Sequence, residues 1–321
     1  MKFVSIIVLN YNNSFDTIEC VKSLFELQYE FYQVIIIDNH SIDSSYREIC
    51  DWVNKKFKKN DFSFLSEGEI ENKFDNNVSL GKKIIVVRNN KNYGYAGGNN
   101  VGIKIALHNL NIEYVWILNN DTVVESNALK FLVNSFQANS NIGLCCSALY
   151  DYKKRSEIQA YSGRYFKITG TSKHLKYYDT KKLNKKLLFS EDYLIGASIL
   201  IPVAIFHKIG LLTENFFLYS EDVDFSIRVK RDYLLYICKD SKVFHKEGGT
   251  SNRGEKKKSD ISDFFYIKNK ILLTRMHFMP FLPWILVSLI ITLLNRILRG
   301  QFYRIPIIFK AIKNALNEKN L

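Results

Sequence analysis

Three groups of residues in this 321-residue chain have types and spacing that could do chemistry, and they lie far apart. A single carboxylate, Asp121, closes the apolar run "YVWILNND" behind Asn119 and Asn120. An acidic set, Glu221, Asp222 and Asp224, opens "EDVDFSIRV". A histidine, His245, follows in "VFHKEGGTS". Carboxylate and imidazole together suit a divalent ion such as Mg2+ or Mn2+, with other oxygens and water completing the shell. A positioned carboxylate is also the group that takes a proton from an attacking hydroxyl. Polar side chains at the end of a buried strand are costly unless something binds them, so residues 119–121 require partners. His245 has an alternative as a hydrogen-bonded core or loop histidine.

Several chemistries are excluded. The glycines of "NYGYAGGNNVGI" (92–103) do not follow GxGxxG, and the chain has no GxxxxGK[ST] loop. The five cysteines, Cys20, Cys50, Cys145, Cys146 and Cys238, are odd in number and form no CxxC pair. That argues against a zinc site or disulfide framework and for reduced thiols in a cytosolic setting.

The elements that must position these groups follow from periodicity. Apolar runs at 3–9, 33–38, 83–89, 114–118 and 142–150 read as strands, alternating with helical patterns as in βαβ units. Helices are expected from Ser14, whose Ile18, Val21 and Phe25 recur at helical spacing, and over 44–57, 99–110 and 126–138, the last capped by Ser126. Residues 58–83 are polar and read as a surface insertion, and 151–190 show no clear period. A strand and a short helix starting near Pro202 fill 193–210, and a helix starts at the acidic set, where negative charge is favoured. "MKFVSIIVLNYNN" has too short an apolar core and no small-residue cleavage site for a signal peptide, and reads as the first strand. Strands apolar on both faces imply a parallel sheet covered by helices, with ligands beyond the strands' carboxyl ends. That edge collects residues 10–12, 38–40, 89–92 and 119–121, each with Asn or Asp.

The net charge of +13 is concentrated after Cys238. There it flanks "FMPFLPWILVSLIITLL" (278–294), which is free of charge and followed by Arg296, Arg299 and Arg304. A membrane span needs about 20 apolar residues, and Pro280 and Pro283 interrupt the start of this run. "RIPIIFKAIKNAL" sets Ile308, Phe309, Ile312 and Leu316 against Lys310 and Lys313. Helices lying in an anionic membrane interface are expected in preference to a span, with a core-packing helix as the alternative. No nucleic-acid-binding motif accompanies the charge, so nucleic acid is not expected as a partner.

Taken in order, "VSIIVLNYNN", "VIIIDNHSIDSS", "NNKNYGYAGGNNVGI", "VWILNNDTVV", "GASILIPVAIFHKIGLLTENFFLYSEDVDFSIRVKRDY" and "VFHKEGGTS" cover nearly all of residues 3–251. This ordered set resembles the family 2 glycosyltransferases of GT-A fold, especially the rhamnosyltransferase-like branch of bacterial surface polysaccharide synthesis. The resemblance implies an α/β fold with a Rossmann-like, mostly parallel sheet flanked by helices. It implies a nucleotide-sugar-binding half (1–125), an acceptor-binding half (126–260) and a C-terminal membrane-associating helical region (261–321). The donor would be held by Asn10, Tyr11, Asn12, Asp38, Asn92, Gly94, Gly98, Asn99, Asn119, Asn120 and Asp121. Residues 119–121 occupy the place of the family's DxD motif, with the departure that Asn119 replaces its first Asp. Mg2+ or Mn2+ would be bound by Asp121 and His245 with the donor's diphosphate. Asp222 is implied as the catalytic base of an inverting single displacement, while Glu221 and Asp224 are acceptor-side groups or helix-start charges. The expected partners are a nucleotide-diphospho-sugar, a lipid-linked glycan acceptor and the inner-membrane surface. A non-catalytic, membrane-attached sugar-nucleotide-binding module is the alternative, and the presence of Asp121, Asp222 and His245 favours the enzyme.

Overall fold

The fold is seen in a computed structural model that describes residues 2–73, 82–177, 179–246 and 260–318. In chain order the first half holds β1 (Phe3–Asn10), α1 (Ser14–Leu24), β2 (Tyr32–Asp38), α2 (Ser45–Lys56), β3 (Phe62–Ser66), α3 (Glu67–Lys73), β4 (Ile84–Arg88), α4 (Gly94–Leu107), β5 (Ile112–Asn119) and β6 (Thr122–Val124). Next come α5 (Ala128–Ala138), β7 (Ile142–Asp151), β8 (Ile158–Ala160), β9 (Ser162–Phe166), β10 (Thr171–Leu175), α6 (Thr180–Leu183), β11 (Ser190–Tyr193), β12 (Ser198–Pro202), α7 (Val203–Ile209), α8 (Glu221–Val229) and β13 (Leu234–His245). Three helices close the chain: α9 (Asp260–His277), α10 (Leu282–Leu298) and α11 (Ile305–Asn317).

A ten-stranded sheet in the order β3-β4-β2-β1-β5-β12-β7-β13-β6, with β8 beside β7, forms the middle layer. The five strands from β3 to β5 are parallel, as their two-faced apolar patterns require. β12 runs antiparallel between β5 and β7, and β6 runs antiparallel to β13. One face is packed by α1, α2 and α5 through Val21, Leu24, Ile49, Leu132 and Phe136. The other is packed by α4, α7 and α8 through Ile103, Ala106, Phe206 and Phe225. Helix α4 lies close to β1 because a Cβ at Gly98 would sit 2.5 Å from Leu9 Cδ1.

Several sequence expectations need correction. Residues 58–83 are not simply an insertion: Phe62, Phe64 and Leu65 add edge strand β3 beside β4, and α3 follows. Their polar setting reflects an edge, where only part of each side chain is covered; residues 74–81 lie outside the described residues. Helix α4 starts at Gly94 instead of residue 99, so the glycine run is helical. The N-cap positions of α1 and α5 are Asn13 and Asn127, one residue before Ser14 and one after Ser126. The unassigned 151–190 stretch holds β8, β9 and β10, and the last two form a three-stranded antiparallel sheet, β10-β9-β11, with β11 starting at Ser190.

The C-terminal helices are unequal. In α9, Ile267, Ile271, Leu272 and Leu273 are buried in a third core with Phe216, Val223 and Tyr165, so this helix belongs to the main body. In α10 only Ile285 and Leu289 are buried. Arg296 and Arg304, two of the basic residues that follow the apolar run, pair with Asp263 of α9 and tie the α10–α11 hairpin to it.

Candidate active site

The strand ends bind one another first. Asn120 Nδ2 donates to Thr17 Oγ1 (2.9 Å), Thr17 Oγ1 donates to Asn10 Oδ1 (2.8 Å), and Asn10 Nδ2 donates to Asp38 Oδ1 (2.8 Å). Asp38 is fully buried and also accepts from Ser41 Oγ (2.5 Å) and Ser41 N (3.1 Å), with Arg88 Nε at 4.0 Å. Asn12, in left-handed conformation (φ 52°), accepts from Ile42 N. Asn39 pins the next loop, donating to Asn92 Oδ1 and Gly94 O while accepting from Asn89 Nδ2. Much of the Asn and Asp at this edge is therefore a satisfied polar floor, as burial demands. A Cβ at Gly98 would lie 2.5 Å from Leu9 Cδ1 and 3.1 Å from Asn39 Nδ2, and Asn99 Nδ2 donates to Tyr95 O within its own helix.

Asp121 and His245 meet at the far side of this floor. The β6–β13 ladder sets His245 opposite Thr122, so Asp121 lies beside it. His245 Nε2 is 3.3 Å from Asp121 Oδ1, and His245 Nδ1 is 2.8 Å from Gln159 Oε1 on β8. An amide oxygen only accepts, so Nδ1 donates to Gln159, and Nε2 is the ring nitrogen turned to Asp121. A carboxylate oxygen and a ring nitrogen at this distance suit a shared cation, and the hydrogen bond on the other nitrogen is the usual support of a metal-bound imidazole. The donor set fits Mg2+ or Mn2+. Among the described residues no group of three or more His, Cys, Asp and Glu could hold a metal, so further ligands must come from a bound molecule or water.

The acidic set is divided by its helix. Asp222, at the start of α8, accepts from Gly196 N (3.1 Å) and Val223 N (2.8 Å). Burial pushes its carboxyl up to about 6. Glu221 is buried with Oε2 unpaired, and burial plus the Asp222 charge raise it well above the usual range. Both line a small cavity with Tyr95, Gly196, Ile199 and Phe225. Asp224 does not: it is fully buried and bonds Arg228 (2.9 Å), Thr213 (2.7 Å) and His277 (2.7 Å) on the opposite side. Asp224, expected as an acceptor-side group or a helix-start charge, forms an ion pair with Arg228 within α8 and a hydrogen bond with His277 of α9.

Tyr95, Thr17, Ser41, Gln159 and Gly196 were not singled out from sequence. Tyr95 sits inside the glycine run, but nothing marked it apart. Its hydroxyl lies 2.8 Å from Gly196 O and 3.0 Å from Asn119 Oδ1, linking the Asn119 strand end to the Asp222 pocket. Gln159 fell in the stretch without periodicity.

An open α/β sheet with a carboxylate–imidazole pair and an acidic helix start along one loop edge defines a GT-A-type protein. The model of "Glycosyl transferase family 2" matches residues 5–210, and the chain belongs to that family. It is 26% identical over 231 residues to the low-salt glycan biosynthesis hexosyltransferase Agl10 of Haloferax volcanii, covering 71% of this chain and 62% of that one. It is 25% identical over 169 residues to the glycosyltransferase GlyG of Streptococcus pneumoniae serotype 4, covering 53% of this chain and 44% of that one. In fold it is similar to GalNAc-T7 with UDP, GalNAc and Mn2+ (TM-score 0.60, 16% identity, 86% of this chain and 48% of that one). It is also similar to the mannosyltransferase PcManGT of Pyrobaculum calidifontis with GDP-Man and Mn2+ (TM-score 0.55, 13% identity, 99% and 76%). The chain thus spans less than two thirds of the length of both curated relatives.

Proposed function

We propose that the protein is an inverting, metal-dependent glycosyltransferase that moves a sugar from a nucleotide-diphosphate donor, a dTDP- or UDP-sugar, to a hydroxyl of a lipid-linked glycan in surface polysaccharide synthesis. One arrangement carries this reading: the Asp121–His245 pair and the Asp222 carboxylate are joined across the cleft by Asn119, Tyr95 and Gly196. Nucleotide-bound and Mn2+-bound relatives in fold support it.

In this reading Asp121 and His245 hold the ion, and Tyr11, Asn12 and the floor around Asp38 receive the nucleoside. A bound Mg2+ or Mn2+ supplies Lewis-acid neutralisation of the departing diphosphate. Asp222 takes the proton of the acceptor hydroxyl as its oxygen bonds to the anomeric carbon. The bond from that carbon to the diphosphate oxygen breaks, and its electron pair leaves with the diphosphate. A carboxyl at about 6 is mostly ionised near neutral pH yet basic enough to assist. Burial and the Asp222 charge raise Glu221 well above the usual carboxylate range, so of the two Asp222 ionises the more readily and is the one suited to act as base.

The C-terminal hairpin completes the reading. Trp284, Val287, Ile290, Ile291 and Leu294 of α10 are exposed, next to Phe302 and Phe309. Residues Met279–Leu298 are long and apolar enough to cross a membrane, but α10 is tied to the main body through Arg296 and Asp263. An in-plane hairpin on the cytoplasmic face of the cell membrane, with Arg299, Lys310 and Lys313 exposed for anionic headgroups, suits a lipid-linked acceptor. Release of nucleoside diphosphate from a panel of nucleotide sugars, with Mn2+ and with chelator, tests the proposal. Metal-dependent release from one donor is expected; donor binding without turnover would leave the non-catalytic module.

A further inference from the structure

The chain enters α8, and so reaches Asp222, through an unusual turn. Tyr219 and Ser220 are both left-handed, with φ of 72° and 73°, a conformation that side chains with a Cβ resist. The Ser220 side chain, at the N-cap of α8, makes no capping bond, so the turn is held from outside. Asn269 of α9 is fully buried, and its Nδ2 donates to Leu218 O (2.7 Å) and Tyr219 O (2.8 Å). Two carbonyl acceptors settle which end of the amide faces them. Its Oδ1 has no partner, so the two N–H donors are what this position uses. On the opposite side Tyr95 N donates to Phe217 O (2.7 Å), and a Cβ at Gly94 would lie 2.2 Å from that oxygen. Residues 217–219 are therefore gripped between the start of α4 and the middle of α9, and Glu221 and Asp222 follow at once.

We propose that Asn269 is a positioning residue for the Asp222 carboxylate, acting through the left-handed turn at Tyr219 and Ser220; this rests on the reading of Asp222 as the base. The amide does not touch the reacting atoms. It fixes the direction from which α8 starts and hence the hydrogen bond between Gly196 N and Asp222.

Steady-state kinetics of full-length Asn269→Leu, similar in volume but without donors, tests this. A misplaced reacting group costs up to about 100-fold, so kcat should fall roughly 10–100-fold with the donor KM little changed. The pH of half-maximal kcat should move down from about 6 toward the ordinary carboxylate range as Asp222 leaves its buried setting. Glycine accepts positive φ freely, so Ser220→Gly in the same background should recover much of the loss. Ile271→Val, a packing change on the same helix, should leave kcat and its pH profile unchanged. An equal kcat loss in Ile271→Val at matched thermal midpoint, or an unmoved pH profile in Asn269→Leu, overturns the proposal. If Asn269→Leu does not fold, Asn269→Ser, which keeps one donor, is measured against the same criteria. Asp222→Asn separates the two readings: full activity there removes the base itself. An inactive Asp222→Asn beside a normal Asn269→Leu removes only the positioning role.

Discussion

Nε2 of His245 lies 3.3 Å from Oδ1 of Asp121, while Nδ1 of the same ring is held by Gln159 on a short strand remote in sequence. Asp121→Ala should weaken donor binding chiefly when Mn2+ is present, and His245→Ala should do so less severely. Gln159→Leu keeps both ligands but frees the ring, so a roughly 10–100-fold loss in metal-dependent affinity is expected. Calorimetric titration of donor with and without metal reads all three. Equal losses in chelator would disconnect the pair from the metal.

Asp222 links activity and stability with opposite signs. Burial raises its folded pKa to about 6, above the unfolded carboxylate value of 3.8. The native state then keeps a proton that the unfolded chain releases, so stability from this group is full below the unfolded value and is lost as pH rises through about 6. Asp222→Asn should therefore raise the thermal midpoint at pH 8 and leave it nearly unchanged at pH 4. The same variant should lose about 10²–10⁴-fold in turnover, with donor binding largely retained. A lower midpoint at pH 8 would count against the buried charge.

Asp224 should behave in the other direction. Burial opposes its ionisation, but the hydrogen bond with His277 and the charge of Arg228 outweigh it and hold the carboxyl below its usual value. A depressed pKa gives stability that is present above the unfolded value and lost as pH falls through the folded one. Asp224→Asn breaks a buried pair, a loss of about 3–5 kcal/mol at pH 7 that should shrink as both forms are acidified. Denaturant melts at pH 7 and pH 3 read this. An unchanged melt with a raised acceptor KM would return Asp224 to the acceptor side.

These three carboxylates mark what the sequence could and could not disclose. Alternating apolar runs located β1, β2, β4, β5 and β7, because strands buried on both faces leave a continuous signal. Edge strand β3 was hidden because its neighbours are polar. The strands of 151–190 were hidden because they are only three to five residues long, too short to set up a period. Asp121 and His245 were legible as chemistry, yet their contact depends on the ladder between β6 and β13. Asp222 and Asp224 look alike in sequence; two residues of helical rotation send one to the cavity and the other to His277. The asparagines at the strand ends were read as ligand groups, and several of them satisfy each other instead.

The membrane reading turns on the exposed face of α10, where charge and apolar area act differently. Removing the whole tail would also strip Ile285, Leu289, Ile308 and Ala311 from the third core and unpair Asp263, so surface substitution is the cleaner test. Trp284→Ser, Ile290→Ser, Ile291→Ser and Leu294→Ser together leave those contacts in place. Each basic residue near an anionic surface contributes roughly 1 kcal/mol, which salt screens. Apolar burial at about 25 cal/mol per Å2 is not screened. High salt alone should thus release the wild-type protein from anionic vesicles only in part, and the fourfold variant should be released completely. Transfer to a lipid-linked acceptor should fall much further in that variant than hydrolysis of free donor. If the wild-type protein ignores vesicles and the variant instead changes from dimer to monomer in solution, the face joins two copies of the chain and the membrane reading is wrong.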